Sequence, residues 1–201
     1  QHDSRPQARG PGSPMPALLP ALKRHFGHDS FRPGQEEVVR SILSGRPTVA
    51  VLPTGAGKSL CFQLPALLCE GTAVVISPLI ALMKDQVDAL RQRGIPAAKI
   101  TSAETPEEKS AVFTAFRQGQ LKLLYIAPER LAQPGFRELL QQVPLSLLAV
   151  DEAHCVSQWG HDFRPDYLAI HEIVRQITPP RIAALTATAT PEVQDEVGVA
   201  L

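Results

Sequence analysis

The chain has 201 residues, 44% apolar and 20% charged, with 20 Lys and Arg set against 20 Asp and Glu. This composition excludes a charge-rich disordered polymer and a uniformly basic coat for nucleic acid, although a local basic groove is compatible with zero net charge. No apolar run approaches the ~20 residues that span a bilayer, and Cys61, Cys69 and Cys155 are odd in number and lack Cys-x-x-Cys spacing. A disulfide framework and a Cys-based zinc site are therefore not expected, and a reducing cytosol is.

Residues 1–16 carry Pro6, Pro11, Pro14 and Pro16 with two glycines and no apolar periodicity, which reads as a disordered tail or a remnant of processing. From Leu18 onward, short apolar runs alternate with helical patterns. Thr48–Leu52, Ala73–Ser77, Lys99–Ser102, Leu121–Ile126, Leu147–Val150 and Ile182–Thr186 read as strands. Helices are expected after Pro33, which is placed in a first turn with Gly45 past the end, and over Leu79–Arg93, Pro106–Gln118 and Pro191–Leu201. Strands that are apolar throughout imply helices on both faces, hence an α/β fold with a mainly parallel sheet. Ligands of such sheets bind at the carboxyl ends of the strands, which is where the chemically distinctive residues fall.

The first strand runs into Leu52-Pro-Thr-Gly-Ala-Gly-Lys-Ser59, and a helix opens after it. Thr54, Gly55, Ala56, Gly57, Lys58, Ser59 and Leu60 form a candidate phosphate-binding loop. Glycines let backbone N–H groups curl around phosphate oxygens, Lys58 reaches the β and γ phosphates, and the Ser59 hydroxyl is a magnesium ligand. Leu52 stands where the strict motif begins with Gly, yet the chemically needed positions are kept. The fifth strand ends in Asp151-Glu-Ala-His154. An aspartate at the tip of a buried strand is a second magnesium ligand, and Glu152 beside it polarises the attacking water. Lys58, Asp151 and Glu152 are thus the candidate catalytic set for ATP with magnesium. His154 has no second His at a ligand spacing and reads as structural.

Beyond the acids, Trp159, Phe163 and Tyr167 recur every four residues, the spacing of a helical core stripe. Gly160 and Pro165 interrupt a helix there, and His161 and Arg164 add cations to the rings, the chemistry of single-strand binding. Tyr167, past the proline, is assigned to the core; for the others both readings stand.

Six segments taken in order resemble the amino-terminal motor domain of RecQ DNA helicases, of bacterial type: Phe26 through Gln35, Pro53 through Ser59, Ser77 through Gln86, Tyr125 through Arg130, Asp151 through Pro165 and Leu185 through Thr190. The resemblance covers about residues 18–201 and implies a RecA-like P-loop domain over residues 17–201. It implies that Gln35 reads the adenine edge, that Arg32 stacks on the base, and that His28 occupies a position where relatives place an aromatic. Ser77, Pro78, Leu79, Glu129 and Arg130 would lie along the DNA path, and Thr186 to Thr188 would link hydrolysis to domain movement. Trp159, His161, Phe163 and Arg164 would sense DNA.

The implied activity is ATP-dependent 3′-to-5′ unwinding in DNA repair and recombination. The implied partners are single-stranded and partly duplex DNA and a second RecA-like domain, with no membrane and a place at the nucleoid. The family's later domains do not follow Leu201, so the sequence reads as a fragment or truncated product with little unwinding of its own. Two rivals remain, a small-molecule phosphotransferase and a nucleotide-responsive binding module that never turns over.

Overall fold

A computed structural model describes residues 17–53, 57–160, 162–187 and 190–201. The expected tail at 1–16 lies outside them, as do Thr54, Gly55, Ala56, His161 and Thr188. Six parallel strands form one sheet: β1 (Thr48–Val51), β2 (Thr72–Ile76), β3 (Ala97–Ile100), β4 (Leu123–Ile126), β5 (Leu145–Val150) and β6 (Ile182–Thr186), in spatial order β1-β6-β5-β2-β4-β3. The helices are α1 (Leu18–Phe26), α2 (Gln35–Leu43), α3 (Leu60–Leu68), α4 (Ile80–Gln92), α5 (Pro106–Arg117), α6 (Phe136–Gln142), α7 (Ile170–Ile177) and α8 (Pro191–Ala200). Short 3₁₀ turns cover Pro128–Ala132, Ala153–Val156 and Pro165–Ala169.

The expected two-faced burial holds at the centre of the sheet. Along β2, Ala73 and Val75 join a core with α1 to α4, while Val74 and Ile76 join a second core with Phe116 and α6 to α8. Every residue of β2 and β4 is buried, as a strand covered on both sides requires. β1 departs from that pattern. It is an edge strand, and Val49 and Val51 are exposed while Thr48 and Ala50 are buried.

Several boundaries move for local reasons. α2 begins at Gln35, capped by Gly34 at φ 86°, so Pro33 precedes the helix rather than entering its first turn. β3 occupies Ala97–Ile100 rather than Lys99–Ser102, because Thr101 starts a turn closed by the Glu104 carboxylate. α1 was not anticipated, although Leu18, Leu22 and Phe26 at four-residue spacing and a C-capping Gly27 mark it. No helix of the described residues is long and apolar enough to cross a membrane.

Candidate active site

β6 lies between β1 and β5, so the phosphate loop and the acidic pair leave strands that are not neighbours. Lys58 crosses that gap. Its Nζ lies 2.8 Å from Glu152 Oε1 and 3.1 Å from Asp151 Oδ1, with all three side chains less than a fifth exposed. Burial works against the ammonium, but the two carboxylates outweigh it and hold Lys58 above its usual pKa. Asp151 is different: burial dominates and raises its pKa, in spite of Lys58 and of the Glu152 N–H that donates to Oδ1 at 2.9 Å.

Glu152 has a left-handed backbone, φ 52° and ψ 44°. In a continued strand, successive side chains point to opposite faces. The turn at Glu152 breaks that alternation and brings both carboxylates to one ammonium. A non-glycine residue in this conformation costs about 1–3 kcal/mol, and such strain concentrates at functional sites.

Gly57 is held from α2. Gln35 Nε2 donates to the Gly57 carbonyl at 3.0 Å, and Gln35 Oε1 accepts from the Arg32 N–H at 2.8 Å. A Cβ on Gly57 would stand 2.7 Å from Gln35 Nε2, so a side chain there would displace the Gln35 amide from this contact. Arg32 is exposed beside it, His28 is exposed after α1, and Ser59 opens α3 at the loop's end. The donor set fits the ligand expected from the sequence. The Ser59 hydroxyl and Asp151 carboxylate are hard oxygen donors suited to magnesium, and Lys58 supplies a mobile positive charge for phosphate.

At the tip of β6, Thr186 is buried and its Oγ1 lies 2.8 Å from His154 Nδ1. His154 Nδ1 is also 3.5 Å from Glu152 Oε2. One imidazole thus joins the acidic pair to the strand that carries the motif ending at Thr190. The Tyr167 hydroxyl donates to the Asp151 carbonyl at 2.9 Å, and its ring is fully buried, so the core reading of Tyr167 stands.

The residue pattern and the fold converge on one family, and the DEAD/DEAH box helicase family matches residues 32–197. The chain belongs to that family. It is 51% identical over 178 residues to the ATP-dependent DNA helicase RecQ of Bacillus subtilis, covering 88% of this chain and 30% of that protein. It is 47% identical over 182 residues to RecQ of Haemophilus influenzae, covering 90% and 29% respectively. The chain therefore spans about 30% of the length of these curated relatives. Among solved structures, the Mycobacterium smegmatis helicase Lhr bound to ssDNA and AMP-PNP superposes with a TM-score of 0.68 at 24% identity, covering 94% of this chain and 26% of that one, and shows the same fold.

Within this helicase fold, the remaining sequence-predicted residues fall at four places. Trp159 is 81% exposed on an irregular segment, so it is no part of a helical core stripe, while Phe163 and Arg164 are half-buried. Ser77, Pro78 and Leu79 follow β2, and Ser77 Oγ accepts from the Leu79 N–H at 3.3 Å. Glu129 and Arg130 lie on the turn after β4 and line a cleft with Thr101, Ser102, Lys109 and Gln133, and Arg130 stacks over Phe113 at 6.0 Å. Leu60 is buried at the start of α3 and belongs to the core.

Sequence reading missed a hydrogen-bonded link from α3 through β4 to α4. Gln63 Nε2 on α3 donates to the Tyr125 hydroxyl at 2.9 Å, which donates to Gln86 Oε1 on α4 at 2.7 Å. Burial pushes the Tyr125 phenol well above its usual pKa, so it remains a donor. Tyr125 reads as an ordinary strand residue until the fold sets it between two helices.

Proposed function

We propose that residues 17–201 form the first RecA-like motor domain of a 3′-to-5′ DNA helicase of RecQ type, acting on single-stranded and partly duplex DNA in repair and recombination at the bacterial nucleoid. The observation that carries this reading is the Lys58 ammonium held by Asp151 and Glu152 across β6. ATP with magnesium supplies the phosphoanhydride whose cleavage drives movement. Lys58 would turn from the carboxylates toward phosphate, and Ser59 and Asp151 would hold the cation, which would neutralise charge on the phosphates. Glu152, released from the ammonium, accepts the proton of the attacking water. His154 and Thr186 carry a displacement of Glu152 to β6, and the Trp159 to Arg164 segment brings the state of the DNA strand to the same turn.

Full turnover requires a second RecA-like domain, because an arginine finger is worth ~10³–10⁵ in rate in related phosphate-loop enzymes. Residues 1–201 alone should bind Mg-ATP weakly, hydrolyse it slowly at most and not unwind DNA. Calorimetry of nucleotide binding to the chain and to Lys58→Ala tests the site, and equal binding by both would overturn it. ATPase assays with and without single-stranded DNA, on a longer polypeptide containing the second domain, test the motor. Hydrolysis without DNA stimulation would favour a phosphotransferase, and binding without hydrolysis a nucleotide-responsive module.

A further inference from the structure

After the acidic pair, the chain folds back on itself. The Arg164 N–H donates to the Cys155 carbonyl at 2.9 Å, which brings Asp162 over the 3₁₀ turn Ala153–Val156. Asp162 Oδ2 then lies 3.7 Å from His154 Nε2 and 3.7 Å from Cys155 Sγ. The three donor atoms all lie within 4.8 Å of one another.

We propose that His154, Cys155 and Asp162 form a binding site for a borderline-soft divalent transition metal, Zn²⁺ being the reference ion, with a fourth position open to solvent. Metal–ligand bonds of about 2.0–2.3 Å in a tetrahedron require ligand–ligand separations of about 3.3–3.6 Å. The two observed separations from Asp162 exceed that range only slightly, and a cation would draw the His154 and Cys155 donors, which lie within 4.8 Å of one another, closer together about the carboxylate. Imidazole, thiolate and carboxylate together select zinc-like ions over magnesium and calcium, which prefer oxygen alone.

The outer contacts suit the role. His154 Nδ1 lies 2.8 Å from Thr186 Oγ1, a contact that fixes the ring with Nε2 toward Asp162. Metal on Nε2 leaves the proton on Nδ1, which donates to the hydroxyl. Burial, then the Asp162 charge, push the Cys155 thiol up to about 12. Coordination forms the Sγ–metal bond as the S–H bond breaks and its proton passes to solvent; the cation takes over the neutralisation of sulfur and carboxylate. The Asp162 side chain is 42% exposed, which provides the entry path. One consequence rests on the proposed function whereas the site does not: metal pins the segment bearing Trp159 and Arg164 to the turn, which should lower DNA stimulation of ATP hydrolysis.

The test uses Co²⁺ as a spectroscopic probe on the 201-residue chain in excess Mg²⁺. A thiolate-to-cobalt charge-transfer band, displaced by Zn²⁺, is expected. Cys155→Ser should abolish it, and Asp162→Asn should weaken Co²⁺ binding about tenfold or more, since even a residue supporting a ligand is worth ~10–100-fold. Cys69→Ser should leave it unchanged. Circular dichroism checks the folding of each variant, and the half-exposed Asp162 carries the test if Cys155→Ser does not fold. Absence of the band, its loss in Cys69→Ser, or undiminished affinity in Asp162→Asn would overturn the proposal. ATP hydrolysis is not part of this readout, so failure of the motor assignment and failure of the metal site are separable.

Discussion

Beyond the tip of β3, Glu104 folds back on its own turn: Oε2 accepts from the Thr101 N–H at 2.6 Å and the Thr101 hydroxyl at 2.7 Å, and Oε1 pairs with Lys99. At the tip of β5, Asp151 and Glu152 share Lys58. Both are lysine–carboxylate clusters at the carboxyl edge of the same sheet, yet they titrate in opposite directions. Burial works against the Glu104 charge, but Lys99 and Thr101 outweigh it and hold its carboxyl at about 2. Burial prevails at Asp151 and raises its pKa. The Glu104 partners all lie within five residues, and they complete the carboxylate's hydrogen bonds as soon as the turn forms. The Asp151 cluster is assembled from strands on either side of β6 and leaves two acids on one ammonium. A completed cluster holds a loop in place, whereas an under-compensated one is ready for another cation.

The largest expected effect breaks the comparison on the functional side. In a polypeptide that includes the second motor domain, Glu152→Gln should retain Mg-ATP binding and lose ATP turnover by ~10²–10⁴, the range for a general base. Asp151→Ala should mainly weaken magnesium-dependent binding. Calorimetry and steady-state ATPase separate the two phenotypes, and equal loss of binding in both would make the acidic pair structural.

Next comes Tyr167, whose fully buried ring supports the Asp151 carbonyl. Tyr167→Ala should cost ~3–5 kcal/mol, as for other buried aromatic rings, read from denaturant unfolding.

A smaller effect sharpens the contrast between the clusters. Glu104→Gln should cost about 1.5–3 kcal/mol at neutral pH, the range for hydrogen bonds to a charged group. The folded pKa of Glu104 lies below its usual 4.5, so its stabilisation is present above 4.5 and is lost as pH falls toward about 2. Wild type and Glu104→Gln should therefore converge in stability across that window. Asp151, with its pKa raised, has the opposite slope: its contribution is fully present below its usual 3.8 and is lost as pH rises through the folded value. Asp151→Asn should accordingly destabilise the fold less at neutral pH than Glu104→Gln does. Urea unfolding against pH checks both signs.

The smallest effect on stability is expected at Trp159, exposed to 81%. Trp159→Ala should change unfolding free energy by no more than ~0.5 kcal/mol while reducing DNA stimulation of ATPase in the two-domain protein. A large loss of stability with normal stimulation would return Trp159 to a packing role.

How far the sequence could be read follows from the range of the interactions. Gly57, Lys58, Asp151 and Glu152 stood out because phosphate and magnesium chemistry demands those residue types beside a strand tip, and strand tips are marked by short apolar runs. All six strands were anticipated within a few residues for the same reason, whereas the Glu104 turn displaced the β3 boundary through a hydrogen bond that no periodicity reports.

The sequence by itself determined the α/β class, and it marked the candidate phosphate loop and the acidic pair, since each is written in residues that are neighbours along the chain. Only the tertiary structure decided that Lys58 meets both acids over β6, that Tyr125 joins α3 to α4, and that Trp159 faces solvent while Tyr167 is buried. It also decided that Asp162 returns to His154 and Cys155, a grouping hidden from ligand spacing because it depends on the fold-back closed by Arg164. These are contacts between side chains whose direction is set by strand order, backbone turns and burial. Local composition specifies the elements, but only packing fixes which of their polar atoms meet.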